Sequence, residues 1–476
     1  MFWGHRGLSF GLRLGFVAGF MIATVAARAQ DTRHVVEPTI PASCTLLPAQ
    51  LLATNNKLEA ADETKLDTKR IQAALDGCKP GMAVELRPMS GNNAFLSGPL
   101  DLRAGVTLLI DEGVTLYASR NPKDYDMGEG LCGTILQGPR QPGVQAGCRS
   151  LINAVNVTNA AVMGDGIIDG RGDSQLIGHD YSWWQMARKA EPKNDRYYSS
   201  RLISANHADG FVLYRVTLHN AQNYHVVVSG TNGFTAWGVH LQTPTIKGTD
   251  ARNTDGIDPG NSTNITVAHS WIDNGDDNIA IKTGVTHMSV LDNHFYSGHG
   301  MSIGSETNTG DSFLLVDGLT EDHTTSGIRI KSNVTRGGSV HDLLYENICM
   351  RDVKNPIAIS PYYTNQTVEG FEDPKYTGDE IPDYKAITIR NVVDSTPGDV
   401  LIAGLDDAHR TEVTLDDVSM ANAKAHGRFA TVTTGPGGFD FDLSGTEIKV
   451  VAAKGVSAGS LTWPALPCTG KFVPMQ

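Results

Sequence analysis

A short hydrophobic pattern recurs along this chain, and the recurrence limits the folds that the chain can adopt. Residues 211–218 match residues 234–241, which follow 23 positions later, and the pattern returns at 265–272 and 288–295. The matching runs are rich in Val, Ile, Phe and Thr and are separated by Gly, Asn and Asp, a composition typical of strands and turns. A period of about 20–30 residues indicates a solenoid. We therefore predict an all-β, single-stranded, right-handed parallel β-helix, with looser copies of the repeat beginning at Phe313, Leu343 and Ala386.

Polar clusters between these strands supply side chains that suit acid–base chemistry and anion binding. Asp276 lies 11 residues after Ile265, and His299 lies 11 residues after Met288. Asp276 and His299 should therefore be stacked neighbours on successive coils, which lie about 4.7–4.9 Å apart. One step before them a coil ends in an acidic residue, and two cations alternate on a later strand, so that both should face the same wall. The predicted surface cluster consists of Asp255, Asp276, Asp277, His299, Arg329 and Lys331.

The first 29 residues have the features of a cleavable export signal. Arg6 and Arg13 give a positive beginning, residues 14–25 form an apolar run, and residues 27–29 form an A-x-A cleavage site. The apolar run is too short to span a membrane. We predict a protein that is secreted or periplasmic, with Gln30 as its mature N-terminus.

The charge balance restricts the partners of the mature chain. Removing residues 1–29 removes three arginines and no acid, which leaves 36 basic against 52 acidic side chains, a net charge of −16. A strongly acidic protein is a poor nucleic-acid ligand. We therefore expect no nucleic-acid partner and no membrane partner, and we expect a monomer. Any attraction to a polyanion must come from a local cluster, for which Arg329 and Lys331 are the candidates.

Six cysteines in an exported chain favour disulfides, although six cysteines allow 15 connectivities. Short loops favour Cys44–Cys78 and Cys132–Cys148, which leaves Cys349–Cys468. Unpaired buried cysteines are the alternative for any pair. No Cys/His spacing supports zinc.

One helix and two long inserts interrupt the strand pattern. Residues 64–78 have an apolar helical stripe, with Asp67 or Thr68 as the candidate cap, and we predict that this helix closes the open end of the solenoid. The predicted organisation is a signal peptide at 1–29, an N-terminal extension with the capping helix at 30–80, and a β-helix catalytic domain at 81–476. The insert 173–200 contains Trp183 and Trp184, which could stack on sugar rings or anchor the loop; 361–384 is a second long loop.

Four motifs occur in a fixed order along the repeat: Asn253-Thr254-Asp255, Asp276-Asp277, Gly298-His299-Gly300 and Arg329-Ile330-Lys331. In this order, and in register with the repeat, they resemble the signatures of polygalacturonases, glycoside hydrolase family 28. The glycine-rich stretch 164–172 and the stretches 96–100 and 114–119 also resemble bacterial members, so that the likeness covers roughly residues 64–395. Asn278 departs from the residue that usually follows the aspartate pair, and the chain beyond about residue 395 is unassigned.

The resemblance implies a β-helix that hydrolyses α-1,4-linked galacturonan, the backbone of pectin and polygalacturonic acid, with inversion and without a metal or cofactor. Asp276 would be the general acid, Asp255 and Asp277 would hold and deprotonate the attacking water, and His299 would support the protonation state of the acid. Clustered like charges do split pKa values apart, and the titration then belongs to the cluster. The implied substrate-binding residues are Arg329, Lys331, Asn253 and Tyr363, with Tyr362 as an alternative to Tyr363.

Other functions remain open at this stage. Within the hydrolases, we expect internal (endo) cutting, with an exo-acting enzyme or a rhamnogalacturonan hydrolase as the alternatives. Asp255, Asp276 and Asp277 could instead hold calcium, and a calcium-dependent pectate lyase on the same fold would use β-elimination. The most distant alternative is a β-helix that binds polysaccharide without cleaving it.

Overall fold

The computed structural model describes residues 1, 30–138, 147–243, 251–364, 377–443, 447–453 and 467–475. Apart from residue 1, the predicted signal peptide lies outside the described residues. Within those ranges, no helix combines the length and the apolar character needed to cross a membrane.

Parallel strands dominate the described chain and form one 32-stranded sheet. In its central part, each coil contributes one strand to each of three series. The first, which we call the groove series, comprises Leu100–Asp101, Ile152–Val155, Ile203–Asn206, Val226–Ser229, Ile257–Gly260, Ile279–Ile281, Met301–Gly304, Ser326–Lys331, Asn355–Ser360 and Asp399–Ala403. The second comprises Ser43–Pro48, Met82–Arg87, Val106–Ile110, Ala161–Met163, Val212–Tyr214, Asn232–Trp237, Thr263–Ala268, Thr286–Leu291 and Asp311–Asp317. The third comprises Ala94–Ser97, Thr115–Ala118, Ile167–Asp169, Thr217–His219, His240–Gln242, Trp271–Asn274, His294–Ser297 and Thr320–Asp322.

Longer strands continue the stack toward the C-terminus, where the sequence left the chain unassigned. Ser339–Arg351, Asp383–Asp394 and Thr411–Met420 pair in parallel with one another, and Lys424–Thr434 and Glu447–Ala452 follow. The predicted parallel β-helix is thus confirmed, and its coils extend well past residue 395. The remaining elements are two antiparallel pairs, Ala53–Thr54 with Lys57–Leu58 and Ile135–Leu136 with Arg196–Tyr197, and the 3₁₀ turns Ala60–Asp62, Pro122–Asp124 and Glu191–Lys193.

Stacked aliphatic side chains fill the interior of the coils. The groove series contributes one continuous row of fully buried residues: Ile203, Val226, Ile257, Ile279, Met301 and Ile328. Each member covers its neighbour, so every coil buries apolar area only against the coils beside it. Because the inward positions are fixed by this row, the alternate positions of the same strands lie on the opposite, outer face, where their side chains are free to carry chemistry.

The repeat that the sequence predicts is the register that the strands adopt. Phe234 pairs with Ile265, and Ile265 pairs with Met288. The two later copies predicted at Phe313 and Ala386 begin one residue too early, since Met288 pairs with Leu314 and Leu343 pairs with Ile387. Both misplaced residues belong to a column in which every member has a positive φ, between 49° and 86°: Gly233, Asn264, His287, Phe313, Asp342 and Ala386. A bulky residue such as Phe rarely occupies this conformation, and its hydrophobicity mimicked a strand position.

The helix Thr68–Gly77 closes the first coil, as predicted. Ile71 and Leu75 are fully buried in the coil interior. Gln72 bridges the backbone of Asp101, accepting from its N–H at 2.8 Å and donating to its carbonyl at 3.0 Å. Asp67 occupies the N-cap position, but its carboxylate accepts from the backbone N–H of Leu96 rather than capping its own helix. The helix therefore satisfies strand-edge groups that the end of a solenoid would otherwise expose.

Both ends of the described chain are tied to the coils. The segment after residue 30 runs over the outside of the stack: the Asp31 N–H donates to Ser289 Oγ at 2.9 Å, Arg33 Nη2 donates to the Phe234 carbonyl, and Glu37 accepts from the Tyr214 hydroxyl. At the other end, the Tyr296 hydroxyl donates to the carbonyl of Val473 at 2.7 Å. The three disulfides are those that the sequence favoured: Cys44–Cys78, Cys132–Cys148 and Cys349–Cys468.

The insert 173–200 contains a helix, Trp183–Ala190, whose tryptophans are anchors rather than sugar platforms. Trp183 is 1% exposed and Trp184 is 4% exposed, and Trp184 Nε1 donates to the Ala221 carbonyl at 2.9 Å. Ser182 and Gln185 form a capping box at the start of the helix. Of the two readings of this tryptophan pair, the structure therefore supports the anchoring one. In the second insert, residues 365–376 lie outside the described residues.

One ionisable group, Glu321, is sealed inside the coils far from any solvent-facing cluster. Its side chain is fully buried, and neither carboxyl oxygen has a hydrogen-bond partner among the described residues. Burial raises the pKa of Glu321 to about 8, against the opposing effect of the nearby Met301 N–H and with a lesser contribution from the charge of Asp394. The carboxyl is consequently protonated in the folded protein over the range in which an unfolded glutamate is ionised.

We expect Glu321→Gln to make stability less sensitive to pH. A raised carboxyl pKa contributes stability below the ordinary value of 4.5, and this contribution is lost as the pH rises through about 8. Between those limits the wild type should lose about 1.4 kcal/mol per pH unit from this group. The neutral amide cannot ionise, so the thermal midpoints of variant and wild type, measured at one scan rate, should agree near pH 4 and diverge toward pH 8. Parallel curves would contradict this expectation.

Candidate active site

The predicted surface cluster forms at the start of the groove-series strands. Asp255 lies two residues before the strand Ile257–Gly260, and Asp277 lies two residues before the strand Ile279–Ile281. The Gly256 N–H donates to the Asp277 carbonyl, which makes Asp255 and Asp277 neighbours on successive coils. The His299 N–H donates to the Asp276 carbonyl at 2.9 Å, so the predicted stacking of Asp276 and His299 is present.

Two buried asparagines hold the turn that carries Asp276 and Asp277. Asn274 Nδ2 donates to the backbone carbonyls of both aspartates, and Asn278 Nδ2 donates to Asn274 Oδ1 at 2.8 Å. Asn278 Oδ1 accepts from the Gly300 N–H, which links this turn to the next coil. The departure from the family pattern at Asn278 is thus a structural residue of the turn.

The close approach of the coils explains two glycines at the site. A Cβ at Gly256 would lie 2.2 Å from the Asn278 carbonyl oxygen, and a Cβ at Gly300, whose φ is +75°, would lie 2.0 Å from the Ser326 carbonyl oxygen. Neither position can accept a side chain without moving backbone.

Asp277 is the carboxylate that the cations hold. One oxygen accepts from Arg329 Nη1 at 2.8 Å, and the other accepts from Lys331 Nζ at 2.8 Å. Although burial raises the pKa of Asp277, the charges of Lys331 and Arg329 outweigh it and hold that pKa well below the ordinary value. Burial lowers the pKa of Lys331, and the neighbouring cations Arg329 and Lys282 lower it further, so that the opposing charges of Asp277 and Asp276 do not restore its ordinary value. The geometry is that of an ion pair, with Asp277 ionised.

Asp255 has the opposite electrostatic environment. Burial raises its pKa well above the ordinary value, and the negative charges of Asp258 and Asp276 raise it further. Burial also raises the pKa of Asp258 to about 7, despite the nearby Lys282. The cluster therefore contains one carboxylate whose pKa is depressed, Asp277, beside two carboxyls whose pKa values are raised, Asp255 and Asp258. Such a separation of pKa values is what acid–base catalysis by paired carboxyls requires.

The other predicted site residues lie around this cluster. His299 Nδ1 lies 2.5 Å from Thr325 Oγ1, so the ring partner is a threonine rather than an aspartate. Asn253 adopts a left-handed conformation and accepts from the Tyr197 hydroxyl at 2.8 Å. The Tyr363 ring centroid is 5.8 Å from Arg329 Cζ and 5.2 Å from Lys331 Nζ, within the range of cation–π contact.

Tyr362 points elsewhere, which separates the two candidate tyrosines. Its side chain is 7% exposed, and its hydroxyl donates to the Leu405 carbonyl at 2.7 Å. Of the two adjacent tyrosines, Tyr363 is the one placed against Arg329 and Lys331.

Sequence reasoning missed Asp258 and Lys282, which adjoin the cluster. Burial disfavours a charged Lys282, but Asp258 and Asp255 outweigh it and hold the pKa of Lys282 well above its ordinary value. For Lys282, a signal was present in the register of the repeat. Lys282 follows Ile281 as Lys331 follows Ile330, and Ile281, Ile303 and Ile330 pair in one row. Asp258 gave no such signal, because it lies in the strand Ile257–Gly260, whose Asp-Pro-Gly sequence is typical of a turn rather than of a strand.

The three aspartates could in principle hold a cation, since one oxygen from each lies within 4.8 Å of the others. The donor set does not fit calcium, which takes 6–8 oxygen ligands. Both oxygens of Asp277 are already bound by Arg329 and Lys331, whose positive charges neutralise it. The geometry therefore favours carboxyl chemistry over metal binding.

Comparison with known proteins identifies the family of the chain. Residues 97–436 match the model of Glycosyl hydrolases family 28. The chain is 40% identical to an endo-polygalacturonase of Pectobacterium carotovorum subsp. carotovorum, over 88% of this chain and 96% of the relative. It is 36% identical to a polygalacturonase of Ralstonia solanacearum, over 93% of each chain. The solved polygalacturonase from Erwinia carotovora ssp. carotovora superposes with a TM-score of 0.72 at 37% identity, covering 89% of this chain and all of that one. The chain belongs to glycosyl hydrolases family 28.

Proposed function

We propose that this glycoside hydrolase is an endo-acting polygalacturonase, which cleaves α-1,4 bonds between galacturonate units of pectin and polygalacturonan. The relatives that are named polygalacturonase or endo-polygalacturonase support the substrate. The single observation that carries the chemistry is the aspartate cluster, in which two cations hold the pKa of Asp277 well below its ordinary value while burial raises the pKa of Asp255.

In the proposed mechanism, Asp276 is the general acid. Its side chain is half-buried, whereas Asp255 and Asp277 are 4% and 1% exposed, so Asp276 is the member of the cluster that a glycosidic oxygen can reach. In this role Asp276 donates its carboxyl proton to the leaving glycosidic oxygen as the bond from that oxygen to the anomeric carbon breaks. Protonation of the leaving group by a positioned acid is worth about 10²–10⁴-fold in rate.

Asp277 is the proposed base, and Asp255 helps to hold the attacking water. An ionised carboxylate can accept the proton that the water loses, and the paired Arg329 and Lys331 keep Asp277 in that state. Inversion is proposed from the family resemblance alone, because the aspartate oxygens lie within 4.8 Å of one another, whereas inverting enzymes usually separate their two carboxyls by about 6.5–9.5 Å. Tyr363 and Asn253 are proposed to shape the substrate-binding surface.

We also propose export and monomeric action. Three disulfides favour an oxidising compartment, and the features of residues 1–29 support a signal peptide that is removed to give a secreted or periplasmic enzyme. All proposed site residues come from one chain, so a monomer suffices for catalysis.

A product analysis on polygalacturonic acid tests the function. We expect new reducing ends without ultraviolet-absorbing unsaturated ends, an unchanged rate in EDTA, and a mixed ladder of oligomers at early times. Proton NMR of the first products should show the β-anomer, because inversion at an α-linkage reverses the anomeric configuration.

Other outcomes separate the alternatives. Unsaturated products that disappear in EDTA would replace the hydrolase with a calcium-dependent lyase. Monomer alone at early times would indicate exo cutting, and an α-anomer would contradict inversion. Binding of polygalacturonate without any product would favour a polysaccharide-binding protein. Activity on rhamnogalacturonan alone would make the protein a rhamnogalacturonan hydrolase instead of a polygalacturonase.

A further inference from the structure

Among the described residues, two guanidinium groups on the N-terminal side of the aspartate cluster form no ion pair, although one of them, Arg201, is close enough to lower the pKa of Asp258. Most arginines of the described chain pair with a carboxylate, for example Arg149 with Asp101 and Arg215 with Asp165. Arg196 and Arg201 make no ion pair with any carboxylate in the described ranges, and Arg196 Nε is buried without a hydrogen-bond partner there. In a chain whose formal net charge is −13, unpaired cations at one place are available to an anionic ligand.

Arg201 belongs to the same row as the aspartates. The backbone pairs Arg201, Tyr224 and Asp255 at equivalent positions on successive coils, since the Leu202 N–H donates to the Tyr224 carbonyl and the His225 N–H donates to the Asp255 carbonyl. Arg201 Cζ lies 5.3 Å from the Tyr224 ring centroid. Two coil steps separate Arg201 from Asp255, a distance of roughly 10 Å along the stack.

A cavity of about 550 Å³ is lined by both of these arginines. Tyr224 and Asn253, which adjoin Asp255 in the coil stack and in the chain, also line it, as does Arg149. Arg196 enters it from the insert 173–200, on the strand Arg196–Tyr197, and the adjacent Tyr197 hydroxyl donates to Asn253. The acid beside Arg196, Asp195, accepts from the Gly138 N–H and is therefore already engaged.

We propose that Arg196 and Arg201 form an anion subsite for a galacturonate carboxylate of the polymer, away from the bond that is cut and on the side of the N-terminal coils. This inference rests on the proposed function and deepens it. A guanidinium binds a carboxylate through two parallel hydrogen bonds, which a methyl ester cannot reproduce with equal strength. The aspartates then lie between two cationic regions, Arg196 with Arg201 on one side and Arg329 with Lys331 on the other, so the polymer is held on both sides of the cleavage point. Such an arrangement suits internal cutting.

The test measures kcat/KM against substrate length for Arg201→Gln and Arg196→Gln, with Arg215→Gln as the matched control. Arg215 is an exposed arginine paired with Asp165 outside the groove. With long oligogalacturonates, each groove variant should lose about 10- to 100-fold, the worth of a charge-assisted hydrogen bond. The loss should appear mainly in KM and should shrink with the shortest cleavable oligomer. Arg201→Lys should recover part of the activity, and methyl-esterified substrate should discriminate less between wild type and variants.

Two results would overturn the inference: an equal loss at every length and ester content, or no loss at all in variants whose thermal midpoints match the wild type. A second measurement separates this inference from the proposed function. It determines the affinity for polygalacturonate of variants that carry the same arginine substitutions together with Asp276→Asn. If the wild type fails to hydrolyse galacturonan, the function is wrong, and the binding measurement alone decides the subsite. If the wild type is active and binding is unchanged by both substitutions, the subsite is wrong and the function stands.

Discussion

Asp276→Asn should lower kcat on polygalacturonic acid by about 10²–10⁴-fold, the range for removing a general acid. Asparagine has the shape of the carboxyl but carries no proton that it can transfer to the leaving oxygen. The side chain is half-buried and makes no ion pair among the described residues, so folding should not depend on its charge. The thermal midpoint and the affinity for the polymer should therefore remain those of the wild type. Steady-state kinetics, calorimetry and binding to polygalacturonate check the three parts.

Asp292→Asn provides the matched control. Asp292 is an exposed aspartate outside the cluster, and its backbone is in the left-handed region, which asparagine also accepts. Its kcat should equal that of the wild type. Retention of wild-type kcat by Asp276→Asn would remove Asp276 from the role of acid, and a loss of binding together with kcat would make it a substrate contact instead.

Asp277→Asn should lose both activity and stability, which distinguishes it from Asp276→Asn. The substitution removes the proposed base and also leaves the side chains of Arg329 and Lys331, 11% and 6% exposed, without their carboxylate. Breaking a buried ion pair by removing one partner costs about 3–5 kcal/mol. We expect a lower thermal midpoint at neutral pH and turnover close to background. Calorimetry and kinetics on the same preparation measure both effects.

The pH dependence and a double variant sharpen this expectation. Because the pKa of Asp277 is depressed, its contribution to stability is present above the ordinary aspartate pKa and is lost as the pH falls through the folded value. The difference between wild type and Asp277→Asn should thus persist at neutral pH and close only in strong acid. Adding Lys331→Met removes one stranded cation, so the double variant should regain stability without regaining activity. Equal midpoints for wild type and Asp277→Asn would contradict the ion-pair account.

The register of the coils could be predicted from sequence because the repeat is regular where the site lies. The equal spacing of Asp276 and His299 from Ile265 and Met288 placed them together, and the Ile265–Met288 pairing bears this out. The repeat misleads where a hydrophobic residue occupies the left-handed column, as Phe313 does. Local propensity describes strand and turn residues, but it does not describe a non-polar residue that the stack holds in a left-handed conformation.

Partners of side chains were less predictable than their positions. The sequence indicated that Arg329 and Lys331 share a wall, but not that both would bind Asp277. It did not predict that Asp258 and Lys282 would adjoin Asp255, because a strand residue's charge partner is decided by side-chain reach between coils. The burial of Trp183 and Trp184 likewise depends on how the insert folds back, which no period in the sequence encodes.

The attachment of both chain ends has a consequence for how this molecule comes apart. A stack whose members touch only their neighbours can peel open from either end, as a zipper does. Here the N-terminal segment crosses the coils from Tyr214 to Ser289, which include those of the aspartates, and the C-terminal segment is fastened at Tyr296 and by Cys349–Cys468. While these hydrogen bonds and the disulfide remain intact, the segments that they join stay attached to the stack. We therefore expect the described coils to open in a more concerted way, and more slowly, than a stack with free ends would, which should slow the proteolysis that depends on opening.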